Sequence, residues 1–246
     1  MKTLVSSYPF PNLIIPGVQK AGTTALASFL SQHPDICIVE GKEAHVFDDP
    51  EYYKASDKTS FARKKFERKL KHYDGEKYIL DATPITLLHP TFIKECNRYC
   101  FNAKYLVMVR DPLERALSHY AMTKSRNLEP LSPLRAFLSE PWRMRGLYRN
   151  LPSSPFESPY RDQSYLTRGK YRKQIDNLLS FVGSENIMQI QQQDLNEQHN
   201  RTLDSIFQFL DLPTISVEQK RVFASPKSYQ LSTWEKLLTR LIQLIV

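Results

Sequence analysis

The stretch IIPGVQKAGTTAL, Ile14 to Leu26, decides how the rest of the chain is read. An apolar run ends at Pro16. Gly17 and Gly22 then frame a short loop, and the residues after Gly22 open a helical pattern with Ala25, Leu26, Phe29 and Leu30 on one face. A strand that passes through a glycine-rich turn into a helix makes an anion site by its geometry. Amides at the helix start lack intrahelical acceptors, point at the ligand, and lie at the positive end of the helix dipole. The two glycines suit the turn and a close backbone approach, and Thr23 and Thr24 add hydroxyl donors. After the second glycine stands Thr23 rather than lysine; the lysine sits earlier, at Lys20 inside the loop.

That displacement narrows the ligand. In nucleoside triphosphatases the lysine after the second glycine reaches the β- and γ-phosphates, and the next Ser or Thr holds Mg²⁺. Here that lysine is missing, and YLVMVRD ends on Arg110 with Asp111 in a helix-cap position instead of an acid poised for a metal. A ligand with one phosphate beside the transferred group, held without a metal, fits better than a triphosphate.

Outward from the loop, short apolar runs alternate with helical stretches. Strands are expected in NLIIPG, DICIVE, KYILDATP, AKYLVMVRDP (Lys104 to Val109) and NIMQIQQQDL. Helices are expected in TALASFLSQHP, ended by Pro34; from about Phe61 within the basic stretch Lys54 to His72, with Phe61, Phe66 and Leu70 inward; over Ile85 to Tyr99; in LERALSHYAMTKSR; in RGKYRKQIDNLLSFVG, closed by Gly183; and in NRTLDSIFQFLDLP. Asp111 as N-cap, Pro112 at N1 and Glu114 at N3 form a capping box. Residues 126–163 read as loops and short helices, a lid on the substrate side. The alternation predicts one α/β domain over residues 1–246, a central parallel sheet flanked by helices, with its core at about 11–212 and a cofactor-side loop and helix at 213–246.

Several motifs together carry a resemblance. PGVQKAGTTAL resembles the 5′-phosphosulfate loop of sulfotransferases that use 3′-phosphoadenosine 5′-phosphosulfate (PAPS), most closely the carbohydrate and heparan-sulfate branch and its bacterial members. About 90 residues on, VRDPLERALSHY is similar to that family's 3′-phosphate motif. The pattern covers about Pro11 to Leu212. It implies a P-loop-like sulfotransferase fold in which Lys20 meets the bridging oxygen between phosphate and sulfonate. Ala21, Gly22, Thr23, Thr24 and Ala25 complete the cradle, and Arg110 and Ser118 hold the 3′-phosphate. A planar guanidinium suits that task. Arginine at a strand end can equally pair with a nearby carboxylate.

EGKEAHVFDDPEYY resembles the family segment whose glutamate is the general base, which places Glu43 in that role and His45 beside it as a positioner of the acceptor, with Lys42 assisting. Glu40 is a rival carboxylate. LDATPITLL matches at Asp81, Thr83 and Pro84, but Ala82 stands where some members carry a lysine, which weakens a heparan-sulfate assignment. TRGKYRKQIDNLL fits at Arg168, Gly169 and Tyr171 as scaffold and cleft wall, and Lys227 in SPKSYQLS is the basic residue of a loop over the cofactor.

Composition sets the remaining bounds. The formal charge is +8, from 34 Lys and Arg against 26 Asp and Glu, which suits anionic ligands. No aromatic RNA-binding motif, zinc finger or basic zipper appears, so nucleic acid is not expected. An apolar run of about 18 residues is lacking, so no membrane span is expected. Cys37, Cys96 and Cys100 are too few and too poorly spaced for a disulfide framework or a metal site.

The reading is sulfonate transfer from PAPS to a hydroxyl or amine of a glycan or small-molecule acceptor, releasing 3′,5′-adenosine bisphosphate, with no metal. The expected location is the cytoplasm, or the Golgi lumen if the chain is part of a longer protein. A P-loop kinase of a small molecule, with ATP and Mg²⁺, and a non-catalytic module binding PAPS-like nucleotides or sulfated glycans remain as alternatives.

Overall fold

A computed structural model describes residues 9–219 and, further on, 231–233, 235–237 and 239. Its five strands are β1 (Leu13–Ile14), β2 (Ile36–Ile38), β3 (Tyr78–Asp81), β4 (Lys104–Val109) and β5 (Ile187–Gln191), all parallel in the order β2-β3-β1-β4-β5. Successive strand residues face opposite sides of a sheet, so a central strand is apolar throughout only if both faces are covered. This holds in β4, where Tyr105 to Val109 are all buried. The edge strand β5 instead exposes Gln189 and Gln191 and buries Ile190.

The helices are α1 (Thr23–Leu30), α2 (Pro50–Lys54), α3 (Lys58–Lys69), α4 (Pro90–Tyr99), α5 (Pro112–Ser125), α6 (Pro133–Met144), α7 (Pro159–Asp162), α8 (Tyr171–Leu179), α9 (Gln192–Glu197) and α10 (His199–Phe209). Among the described residues no helix is long and apolar enough to cross a membrane.

Several boundaries depart from the pattern for local reasons. α3 starts at Lys58 because the Asp57 side chain accepts from the Ser60 amide at 2.9 Å; Phe66 and Leu70 are buried and Phe61 packs at the core margin. The helix expected over 85–99 breaks at His89, which Pro90 forces into an extended conformation (φ −132°, ψ 132°), leaving a 3₁₀ turn at Thr86–Leu88 before α4. α1 ends at Leu30, ahead of Pro34, and α8 at Leu179, ahead of Gly183. The strand run NIMQIQQQDL turns into α9 at Gln192.

Residues 126–163 include α6 and α7 among loops and a 3₁₀ turn. α6 buries Ala136 and Phe137 against Leu113, Ala116, Tyr120 and Tyr165. Buried Glu129 accepts from Arg143 at 2.5 Å and from the Tyr165 hydroxyl at 2.9 Å, and buried Glu140 takes the Leu166 and Thr167 amides at 2.6 and 2.8 Å. A segment held by buried, satisfied acids is part of the body of the protein.

The topology creates the crevice. The chain leaves β1 toward one edge of the sheet and leaves β4 toward the other, and these two strands are neighbours. Ligands of open α/β sheets bind beyond the strand C-termini at such a switch point. The loop after β1 and Arg110 after β4 both lie there.

Candidate active site

The loop after β1 is fixed before any ligand arrives. Val18 N bonds Met108 O at 3.0 Å, Met108 N bonds Gly17 O at 2.9 Å, and Leu87 N bonds Pro16 O at 2.8 Å. At Gly17 a Cβ would stand 3.0 Å from the Pro84 carbonyl oxygen and 3.1 Å from the Leu87 Cβ, so a side chain there would press on the backbone of residues 84–87. Gly22 is the N-cap of α1 with φ +96°, a left-handed conformation that favours glycine.

Gly22 brings no capping side chain, and the amides of Thr23, Thr24 and Ala25 precede the first intrahelical bond, Leu26 N to Gly22 O at 3.0 Å. No acid occupies this first turn. The Ala21 amide, by contrast, is already bonded to Val18 O at 3.0 Å, which leaves Ala21 as packing within the cradle.

Cations surround the loop. Arg110 donates from Nη1 to the Lys20 carbonyl at 3.4 Å and pairs with Glu114 at 3.2 Å. Glu114 is therefore turned toward Arg110, while Asp111 accepts from the Glu114 amide at 2.9 Å as the predicted N-cap. Ser118 lies half-buried two turns along α5. Arg115, on the same helix, is fully buried; it donates to the Gln19 carbonyl at 3.3 Å and to the Tyr165 carbonyl.

Burial lowers the pKa of Lys20, and the charges of Arg126, Arg110, Arg115 and Lys42 lower it further. His119 beneath them is fully buried. Burial, with Arg168, Arg115, Lys20 and Arg126, pushes its pKa well below the ordinary range, so it adds no further cation. A crowd of like charges around amides that lack an intrahelical acceptor fits a multiply charged anion, whose binding would relieve the repulsion.

The second part of the site faces this crevice from the loop after β2. Glu43 is paired with Lys42, and its Oε2 lies 2.8 Å from His45 Nε2. The other ring nitrogen, Nδ1, is 3.0 Å from Asp48 Oδ2, and buried Asp48 is held by Arg161 Nη1 at 2.9 Å. Burial alone would lower the His45 pKa, but the hydrogen bonds and charges of Asp48 and Glu43 overcome it and push the pKa up to about 10. Burial raises the Glu43 pKa, and His45 and Lys42 outweigh that, holding the carboxyl below its usual range. The result is a carboxylate beside an imidazolium at neutral pH.

This segment is aimed by the LDATP run. Ala44 N donates to Asp81 Oδ1 at 3.0 Å and to Thr83 Oγ1 at 3.1 Å, His45 N donates to Thr83 Oγ1 at 3.3 Å, and Ala82 N bonds Lys42 O at 2.8 Å. Lys65 of α3 reaches the His45 carbonyl and Asp49, each at 2.5 Å. Residues 82–87 thus touch both halves of the site, the Glu43 segment at one end and the Gly17 turn at the other. Glu40, the rival carboxylate, is exposed, and its carbonyl is bonded to Lys69 at 2.9 Å.

With this geometry in hand, the comparisons decide the family: a model described as "Sulfotransferase domain" matches residues 10–243. The chain belongs to the sulfotransferase family. A solved sulfotransferase from Alicyclobacillus acidocaldarius superposes with TM-score 0.73 at 26% identity, covering 95% of this chain and 91% of that one. Human heparan sulfate glucosamine 3-O-sulfotransferase 3B1 is 37% identical over 124 residues, 49% of this chain and 28% of that protein. The membrane-associated sulfotransferase kil1 of Dictyostelium discoideum is 34% identical over 110 residues, 45% of this chain and 22% of that protein. The chain matches only about a quarter of the length of these curated relatives.

The structure brings Lys20, the helix start at Thr23, and Arg110 together in this sulfotransferase crevice, with Glu43 and His45 paired on the facing loop. Lys227 lies outside the described residues. Sequence reasoning left Arg115, Asp48 and Arg161 unassigned. The His45-x-x-Asp48 spacing was a usable signal; Arg161, 113 residues from Asp48, gave none.

Proposed function

We propose that this sulfotransferase moves a sulfonate from PAPS to a hydroxyl or amine of a carbohydrate acceptor, releasing 3′,5′-adenosine bisphosphate. One observation carries the reading: the Arg110–Lys20 contact at 3.4 Å joins two anion-binding motifs 90 residues apart into one crevice. The open amides of α1, the acid-free first turn and the cations around Lys20 fit a phosphosulfate group. PAPS would supply an activated sulfonate on its 5′-phosphate. Lys20, with the amides and hydroxyls of Thr23 and Thr24, would hold that end and meet the negative charge that grows on the leaving phosphate. Arg110 and Ser118 would hold the 3′-phosphate.

Glu43 would accept the proton of the attacking acceptor group. Its depressed pKa keeps it ionised at neutral pH, though at some loss of basicity. His45, fixed between Glu43 and Asp48, would orient the carboxylate and donate to the acceptor. The carbohydrate class rests on the similarity to the human heparan sulfate glucosamine 3-O-sulfotransferase; Ala82, fully buried where some members carry a lysine, leaves the particular glycan open. A cytoplasmic setting belongs to the same proposal and fits three buried, free cysteines.

The test is calorimetric titration with 3′,5′-adenosine bisphosphate without metal, beside ATP with Mg²⁺, followed by transfer of labelled sulfonate to a glycan panel. Bisphosphate binding that collapses in Arg110→Ala supports the reading. Preference for ATP with Mg²⁺, indifferent to that substitution, would hand the site to a kinase.

A further inference from the structure

An aromatic ring stands half exposed at the acceptor side. Phe47, Tyr52 and Phe92 in the same region are buried, as core aromatics are; Phe156 is 45% exposed. Single exposed apolar residues are common and need no explanation, but the neighbours of this one are specific. Its ring lies 6.0 Å from the His45 ring at 84°, an edge-to-face contact, and the Arg161 guanidinium sits 4.9 Å from its centroid. Arg161 is itself locked to Asp48, with Phe92 at 5.9 Å. The ring is thus held by the Glu43–His45–Asp48–Arg161 line.

We propose that Phe156 is a specificity-determining platform on which the apolar C–H face of an acceptor sugar ring stacks while its reacting group meets Glu43. The proposal rests on the carbohydrate sulfotransferase reading and deepens it. A sugar ring presents axial C–H groups on one face and hydroxyls at its rim. An aromatic face beside a polar cluster serves both, much as one end of such a side chain is apolar and its surroundings wet. The ring also covers the buried Asp48–Arg161 pair, so a purely structural role must be separated from contact with the acceptor. Phe156→Leu does this: it keeps apolar cover over Arg161 and removes the flat face, whereas Phe156→Tyr keeps the face.

The experiment loads wild type, Phe156→Leu and Phe156→Tyr with 3′,5′-adenosine bisphosphate. It then measures binding of an N-acetylheparosan tetrasaccharide and of cellotetraose by saturation-transfer NMR and calorimetry. Wild type should bind at least one of the two, with saturation reaching the ring C–H protons. Phe156→Leu should weaken that binding about threefold to tenfold, the range a lost aromatic contact implies, with unchanged melting temperature and bisphosphate affinity; Phe156→Tyr should bind as wild type does. Equal binding by Phe156→Leu, or no tetrasaccharide binding by bisphosphate-loaded wild type, overturns the platform alone. Failure of wild type to take up the bisphosphate overturns the sulfotransferase reading along with it.

Discussion

The two halves of the site are built on different principles. The proposed donor side, the loop after β1 with the start of α5, is made of backbone: helix-start amides with no intrahelical acceptor, two glycines and carbonyls gripped by Arg110 and Arg115. Cations predominate around Lys20, where Arg126, Arg110, Arg115 and Lys42 lower its pKa, and Glu114 pairs with Arg110 alone. The proposed acceptor side, the loop after β2, is made of side chains whose charges alternate from Lys42 through Glu43, His45 and Asp48 to Arg161. An unbalanced site waits for a counter-charge; a balanced one holds a geometry. The donor side should therefore govern affinity for the nucleotide, and the acceptor side the chemistry.

Substitutions can break that division, and the largest effect is expected at Glu43. Glu43→Gln should lower the transfer rate by about 10²–10⁴-fold, the usual worth of a general base, while bisphosphate affinity in calorimetry stays at the wild-type value. Weakened bisphosphate binding would show that the two halves are not separable. Lys20→Met should cost about 10²–10³-fold in kcat, as for removal of one donor to a developing anion, read in single-turnover assays with labelled PAPS. Arg110→Ala removes charged hydrogen bonds worth about 1.5–3 kcal/mol and should raise the bisphosphate Kd about tenfold to a hundredfold, with little change in the turnover of saturated enzyme.

The balanced half can be sharpened by titration. His45 has a pKa near 10 in the folded protein against 6.5 ordinarily. Its imidazolium stabilises the fold fully below about pH 6.5, and that contribution is lost as pH rises through about 10. Asp48→Asn should bring the His45 pKa down toward the ordinary value, as followed by histidine ring NMR, and flatten the alkaline decline in melting temperature. The smallest effect lies outside both halves. Asp57→Ala removes the α3 cap at a cost of about 1 kcal/mol, a fall of about 2–4 °C in Tm for a protein of this size, with transfer activity unchanged.

The difference between the halves also explains what could be read in advance. Lys20, Thr23 and Thr24 share one short segment, so the loop that carries them follows from local spacing, while the roles proposed for them come from the resemblance to PAPS-dependent sulfotransferases. Arg110 was legible because β4 is an unbroken apolar run that ends there. On the acceptor side Glu43 and His45 could be named, but not what orders them. Asp81 and Thr83 lie 37 and 39 residues from the Ala44 amide they receive, and Arg161 lies 113 from Asp48. Such partners are chosen by folding and leave no periodic trace. How residues 126–163 pack was illegible for a related reason: Glu129 and Glu140 are buried and satisfied by groups distant in the chain.

The sequence by itself determined the α/β alternation, the glycine-framed loop that opens α1 and the strand end that carries Arg110, because hydrophobic period, glycine conformation and helix-end chemistry act over a few residues. Tertiary structure alone decided that these motifs meet across the β1–β4 switch point, that His45 is an imidazolium between two carboxylates, and that Phe156 stands beside it. Those outcomes depend on burial and on pairing between distant residues, and neither is set until the sheet has closed around its core.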